Sequence, residues 1–212
     1  MKVCCDGCMS ERREYLDVDT RRERLLGAAL DAVREGGAAA LTLRGVAQRA
    51  GVVHAVVSYA FRTRAGLVEA FLRREAERTL GDVWSHPLPE GGSLADAVRA
   101  ALTAYADEVV ADPERAQAIA ELTLQARTDA ELAAALAAEQ HTLRAAIGTR
   151  LGEWSAASGV PIAPSVDTVT AALLAAAEGL TSWWLTTRDT ATLPDVVALL
   201  AGGIGSRPDT VM

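Results

Sequence analysis

Lysine is almost missing from this chain: Lys2 is the only one, and arginine carries the remaining positive charge. Arginine's planar fork suits bidentate contact with phosphate and guanine, although a coding bias toward Arg and Ala gives the same composition. Aromatic residues make up 4% of the chain. No long apolar run is present; the longest, residues 169–177, is too short for a bilayer, which needs about 20 residues. The N-terminus has no apolar stretch of the secretory kind, so the cytoplasm is the expected location. Cysteine is confined to Cys4, Cys5 and Cys8, a cluster of soft ligands or redox-sensitive thiols with no fourth ligand beside it. The histidines are distant, at His54, His86 and His141, and Met9 offers an alternative start.

The catalytic patterns are absent too. There is no Glu-x-x-His pair for a di-iron bundle, no Ser/His/Asp arrangement, no phosphate loop and no zinc motif. No catalytic residue, metal or cofactor is therefore expected. Strand patterns are lacking as well. Half the residues are apolar, alanine dominates, and the apolar positions recur at helical spacing, which predicts an all-α chain with a sizeable core.

The net charge of −7 argues against nucleic acid until its distribution is considered. Residues 1–78 hold 14 basic and 11 acidic side chains, whereas residues 79–212 hold 7 and 17. A basic head on an acidic body suits a protein that meets phosphates with one end only.

The segment 43–61 carries most of the functional information. It reads as two short helices broken at Gly51, the first burying Leu43, Val46, Ala47 and Ala50, the second Val56, Val57 and Phe61, with Val52 plugging the corner. A small residue at Ala47, glycine four positions later and an apolar residue six after that is the spacing of a DNA-binding helix-turn-helix. The second helix would then lie in a major groove.

Around this motif the pattern predicts an arm at 1–18, a first helix over 20–35 and Thr42 capping the first motif helix. Thr63 caps a long fourth helix with inner face Leu67, Val68, Phe71, Leu72 and Leu80, followed by a loop at 86–92. Helices over about 94–111, 113–127, 129–158, 166–187 and 194–200 complete the body. The expected division is an arm 1–18, a DNA-binding head 19–66, a helical body 67–205 and a tail 206–212.

The stretch Arg22-Glu-Arg-Leu-Leu-Gly-Ala-Ala29, then Glu35-Gly-Gly37, Leu41-Thr-Leu-Arg-Gly-Val-Ala47, Ala50-Gly-Val52, Tyr59-Ala-Phe61 and Arg64-Ala-Gly-Leu67 resembles the start of Tet repressor (TetR/AcrR-type) regulators. The resemblance covers about residues 20–70; beyond it only length and helicity are shared. It implies a nine-helix homodimer, paired through its last two long helices, that binds a near-palindromic operator and represses until a small molecule releases it. The chain departs from the family at Val53, where Ser or Thr usually caps the recognition helix, and at Ala55, Ser58 and Arg64.

With Val56, Val57 and Phe61 inward, His54, Ala55, Ser58 and Tyr59 face outward, toward phosphates, base edges or a thymine methyl. Tyr59 has the alternative of packing against the fourth helix. Thr42 and Arg44 open a helix whose amides and dipole suit a phosphate. Arg64 is expected to clamp a phosphate from the other side, and Arg12, Arg13, Arg21 and Arg22 form a possible backbone or minor-groove arm. In the body, Trp84, Tyr105, Glu121, Gln125, His141, Trp183 and Trp184 are candidate ligand contacts, because polar groups and indoles on apolar helices are what a small-molecule site needs. Glu178 reads as a structural or interface group. The competing readings are a helical protein-interaction module and a helical-bundle enzyme, neither binding DNA.

Overall fold

A computed structural model describes residues 18–206 of the chain. Cys4, Cys5, Cys8, Arg12, Arg13 and nearly all of the expected arm and tail lie outside the described residues. Among the described residues there are helices and no strand. They run α1 Val18–Gly36, α2 Leu43–Ala50, α3 His54–Phe61, α4 Arg64–Ser85, α5 Leu94–Ala111, α6 Pro113–Ala126, α7 Ala130–Ser158, α8 Val166–Thr187 and α9 Leu193–Gly205, with a short 3-10 turn Ala38–Ala40 after α1.

Local chemistry explains the helix starts. The hydroxyls of Thr42, Thr63, Ser93 and Ser165 each accept a hydrogen bond from a first-turn amide. Ser93 and Asp96 close a reciprocal capping box. Asp112 accepts from the Arg115 amide and Pro113 occupies the first turn of α6. Two starts lack such a bond: Val53 before α3 has no side-chain acceptor, and the Thr192 hydroxyl before α9 caps no amide. The last helix runs further than expected, to Gly205, because Val197 and Ala201 stay buried well past Pro194.

Two apolar clusters hold the molecule together. One joins α1, α2, α3 and the first half of α4, around Phe71, Leu41 and Leu67, and takes in Ala118, Leu122 and Ala126 of α6 and Leu132 of α7. The other gathers α5, α7, α8 and α9 around Leu102, Val98 and Val169. Complete burial of an aliphatic or phenyl side chain contributes about 1.5–3 kcal/mol, so both clusters are substantial. Leu80 is only half-buried; the buried residues of α4 that were not foreseen are Ala70 and, at 1% exposure, Glu75.

Glu75 survives there because it is paired. Its carboxylate takes the Arg115 guanidinium, itself 4% exposed, and Arg74 at 2.8 Å. Arg115 also donates to the Glu75 carbonyl at 3.1 Å and to the Thr79 hydroxyl at 2.6 Å. This buried ionic knot ties α4 to α6.

Candidate nucleic-acid interface

The turn between α2 and α3 is built on Gly51, whose φ of 65° and ψ of 32° lie in the left-handed region that a residue without Cβ adopts freely. Its amide closes the end of α2 on the Ala47 and Gln48 carbonyls. The Val52 amide adds a bond to the Ala47 carbonyl at 3.0 Å. The Val52 side chain does not plug the corner: it is 36% exposed, whereas Val57 is fully buried in the head cluster.

Phe61, at 4% exposure, anchors the other end of α3. The guanidinium of Arg22 lies 4.8 Å from its ring centre and donates to the Ala60 carbonyl at 3.0 Å. Arg22 thus staples α1 to the end of α3 instead of extending as an arm. Val56, Leu43 and Ala50 pack at the rim, half-buried.

The opposite face of α3 is open. His54 and Ala55 are exposed, Ser58 is half-buried, and Tyr59 is 86% exposed, which rules out packing of its ring against α4 in this structure. Ser58 Oγ lies 3.1 Å from His54 Nδ1, one helical turn away, and fixes the imidazole along the face. Arg44 is exposed beside the capped start of α2. His54, Ala55, Ser58 and Tyr59 therefore share one surface, while Thr42 is engaged with the Gly45 amide at 2.9 Å.

Arg64 is placed elsewhere. Its Nε donates to the Leu41 carbonyl at 3.3 Å and its Nη2 to Gln125 Oε1 at 3.1 Å. The expected phosphate clamp is thus turned inward, because the start of α4 lies against the end of the 3-10 turn, where a carbonyl needs a donor. Gln125 accordingly faces this joint and not an effector cavity. So does Glu121, whose carboxylate accepts from the Ala38 amide at 3.1 Å and from Gln117 at 3.0 Å.

The other ligand candidates scatter as well. His141 is exposed on α7, and Trp84 and Trp183 are half-buried against the body core. Tyr105 and Trp184 do converge. With Thr181, Leu180, Val109 and Leu193 they line a small cavity of about 10 Å³, room for roughly one water. Tyr105 Oη and Thr181 Oγ1 satisfy each other at 2.8 Å, and burial pushes the phenol pKa above its ordinary value. The indole of Trp184 donates to Thr190 at 3.2 Å under the Arg188 guanidinium, 4.7 Å from the ring centre. Thr181 was not foreseen; a threonine in an apolar helix gives no signal beyond its hydroxyl. A larger concavity of about 450 Å³ is open to solvent outside α5, between His86, Pro89, Arg99 and Asp107.

The geometry of α1 to α4 is thus that of a helix-turn-helix head with one solvent-facing helix, and residues 25–71 match the family model for bacterial regulatory proteins of the tetR family. The head is similar to that of the tetR family. HTH-type transcriptional regulator BetI of Burkholderia thailandensis is 36% identical to this chain over 86 residues, 41% of the chain and 42% of the relative. The match thus spans less than half the length of the curated relatives. Over the whole fold, a transcriptional regulator from Rhodococcus sp. Rha1 superposes with a TM-score of 0.69 at 27% identity, covering 87% of this chain and 96% of that one. A second Rhodococcus sp. protein, assigned to the TetR-family transcriptional regulators, gives 0.71 at 25% identity with the same coverage. These relatives are regulators of transcription.

Proposed function

We propose that this chain is a homodimeric DNA-binding transcriptional regulator, a repressor that leaves a near-palindromic operator when a small molecule binds its body. The observation that carries the DNA-binding part is α3 itself: anchored by Val57 and Phe61, it offers His54, Ala55, Ser58 and Tyr59 to solvent on one side. An 8-residue helix held this way fits a major groove. His54 and Tyr59 would bond phosphates or base edges, and Ala55 leaves room for a thymine methyl. Arg44 and the capped end of α2 meet the flanking backbone. Pairing through α8 and α9 is supported by Leu199, which stands 78% exposed on α9.

Release follows from how the head is fixed. Arg34 to Asp112, Ala38 to Glu121 and Arg64 to Gln125 all bond the head to α6. A ligand that wedges open the Tyr105–Thr181–Trp184 cavity would displace the body helices and, through α6 and α4, the spacing of the two recognition helices. It lowers DNA affinity only by its preference for that state.

The test is selection of bound sites from random duplexes, in which a palindrome is expected. Tyr59→Phe and His54→Ala should each weaken binding to the selected site. Failure to retain any duplex at low salt would refute the DNA-binding reading. If selected sites lack two-fold symmetry, the dimer reading fails alone.

A further inference from the structure

The sharpest backbone distortion in the head lies at Arg62, between α3 and α4. Its φ of 64° and ψ of −54° fall outside even the left-handed helical region. The Arg62 amide closes α3 on the Ser58 carbonyl at 2.9 Å, and the Thr63 amide reaches back to the Phe61 carbonyl at 2.7 Å. Arg62 is thus the centre of a positive-φ γ-turn, a rare and strained form for a residue with a Cβ. The turn is forced from the other side. A Cβ on Gly66 would stand 2.4 Å from the Phe61 carbonyl oxygen, so the first turn of α4 presses directly on it, and the chain must reverse within residues 62 and 63.

Glycine would satisfy that geometry without strain. The Arg62 side chain contributes nothing to the fold in return: it is exposed and makes no hydrogen bond or ion pair among the described residues. Its position is informative. One turn beyond Ser58 and three residues beyond Tyr59, it extends the open stripe of α3. It also stands at the carbonyl end of that helix, whose partial negative charge would otherwise face the phosphates. Arg64, two residues on, is committed to Leu41 and Gln125 and is not available there.

We propose that Arg62 is a DNA-backbone contact, its strained turn holding a guanidinium where the end of the recognition helix passes a phosphate. This rests on the DNA-binding reading above and adds a residue to it. The contact is electrostatic and independent of base sequence.

The experiment measures affinity against salt for the full chain, using random-sequence duplexes about three helical turns long and the best site selected from them. Arg62→Gln and Arg62→Gly should flatten the log–log salt slope by about 0.9 for each head bound, with roughly eightfold lower affinity per head near 0.1 M salt. Arg62→Lys should keep the slope, and Arg150→Gln on α7 should match the wild type. Because glycine relieves the turn, Arg62→Gly should melt no lower than the wild type while binding more weakly. An unchanged slope in Arg62→Gln overturns the proposal and leaves the regulator reading intact. A marked fall in the melting temperature of Arg62→Gly overturns it by assigning the side chain to the fold. A wild type that binds no duplex overturns it together with the reading beneath it.

Discussion

Arg64, the first residue of α4, donates to the side-chain oxygen of Gln125, near the end of α6, at 3.1 Å. A residue of the helix-turn-helix head and a residue of the body thereby share one hydrogen bond, supported by the Leu41 carbonyl at 3.3 Å on the same guanidinium. Arg64→Ala leaves both acceptors without their donor. A loss of roughly 1–3 kcal/mol in denaturant unfolding is expected, with the salt slope of DNA binding unchanged. A reduced slope with stability intact would return Arg64 to the phosphates.

The Glu75–Arg115 knot predicts an asymmetric outcome. Arg115→Met strands a carboxylate that is 1% exposed, with Arg74 as a partial substitute, and should cost on the order of 3 kcal/mol. Glu75→Leu combined with Arg115→Met removes both charges and should recover most of that loss. Urea denaturation of the single and double variants measures the coupling; additive losses would show that the two groups do not act as a pair.

Glu139 on α7 is 8% exposed, and burial raises its carboxyl pKa despite Arg73 at 4.0 Å. A carboxyl pKa raised by folding means that the charged form is disfavoured in the native state. The penalty is absent below the unfolded pKa, grows as pH rises and is complete above the folded one. Glu139→Gln should therefore stabilise the protein at neutral pH, and the gain should vanish on acidification through the ordinary glutamate range. A gain of the same size at every pH would point to packing instead of charge.

Asp112 behaves in the opposite way. Burial works to raise its pKa, but the Arg34 guanidinium and the Arg115 amide outweigh it and hold the carboxyl below its ordinary value. The stability it contributes is present above the unfolded pKa and fades as pH falls through the folded one. Asp112→Asn should flatten the acid limb of the stability–pH curve, measured by thermal unfolding across that range.

Val53 leaves the first turn of α3 without a side-chain acceptor. Val53→Thr offers one at nearly constant volume, and a gain of about 1 kcal/mol is expected in denaturant unfolding. No gain would mean that solvent already satisfies those amides, since Val53 is 69% exposed.

The head was legible in the sequence because its determinants are local. Gly51, Thr42, Thr63 and the Val57/Phe61 spacing each fix a turn or a cap within a few residues, and the helix bounds followed. Val52 was misjudged because burial at a corner depends on how the surrounding helices pack, which spacing does not encode; it stands 36% exposed. Arg64, Glu121 and Gln125 were assigned by residue type to DNA or ligand. Their partners lie far along the chain, 61 positions for Arg64 and Gln125 and 83 for Ala38 and Glu121, beyond the reach of any periodicity. The same distance hid Glu75 and Arg115, 40 positions apart. Arg62 escaped because nothing in Phe-Arg-Thr distinguishes a γ-turn from an ordinary helix end.

The apolar cluster that binds α1 to α4 also contains Ala118, Leu122 and Ala126 of α6. Cutting the chain after α4 would expose an oily scar on the excised piece. A chimaera that transplants this helix-turn-helix end onto a foreign body must therefore carry along, or rebuild, a surface shaped like α6.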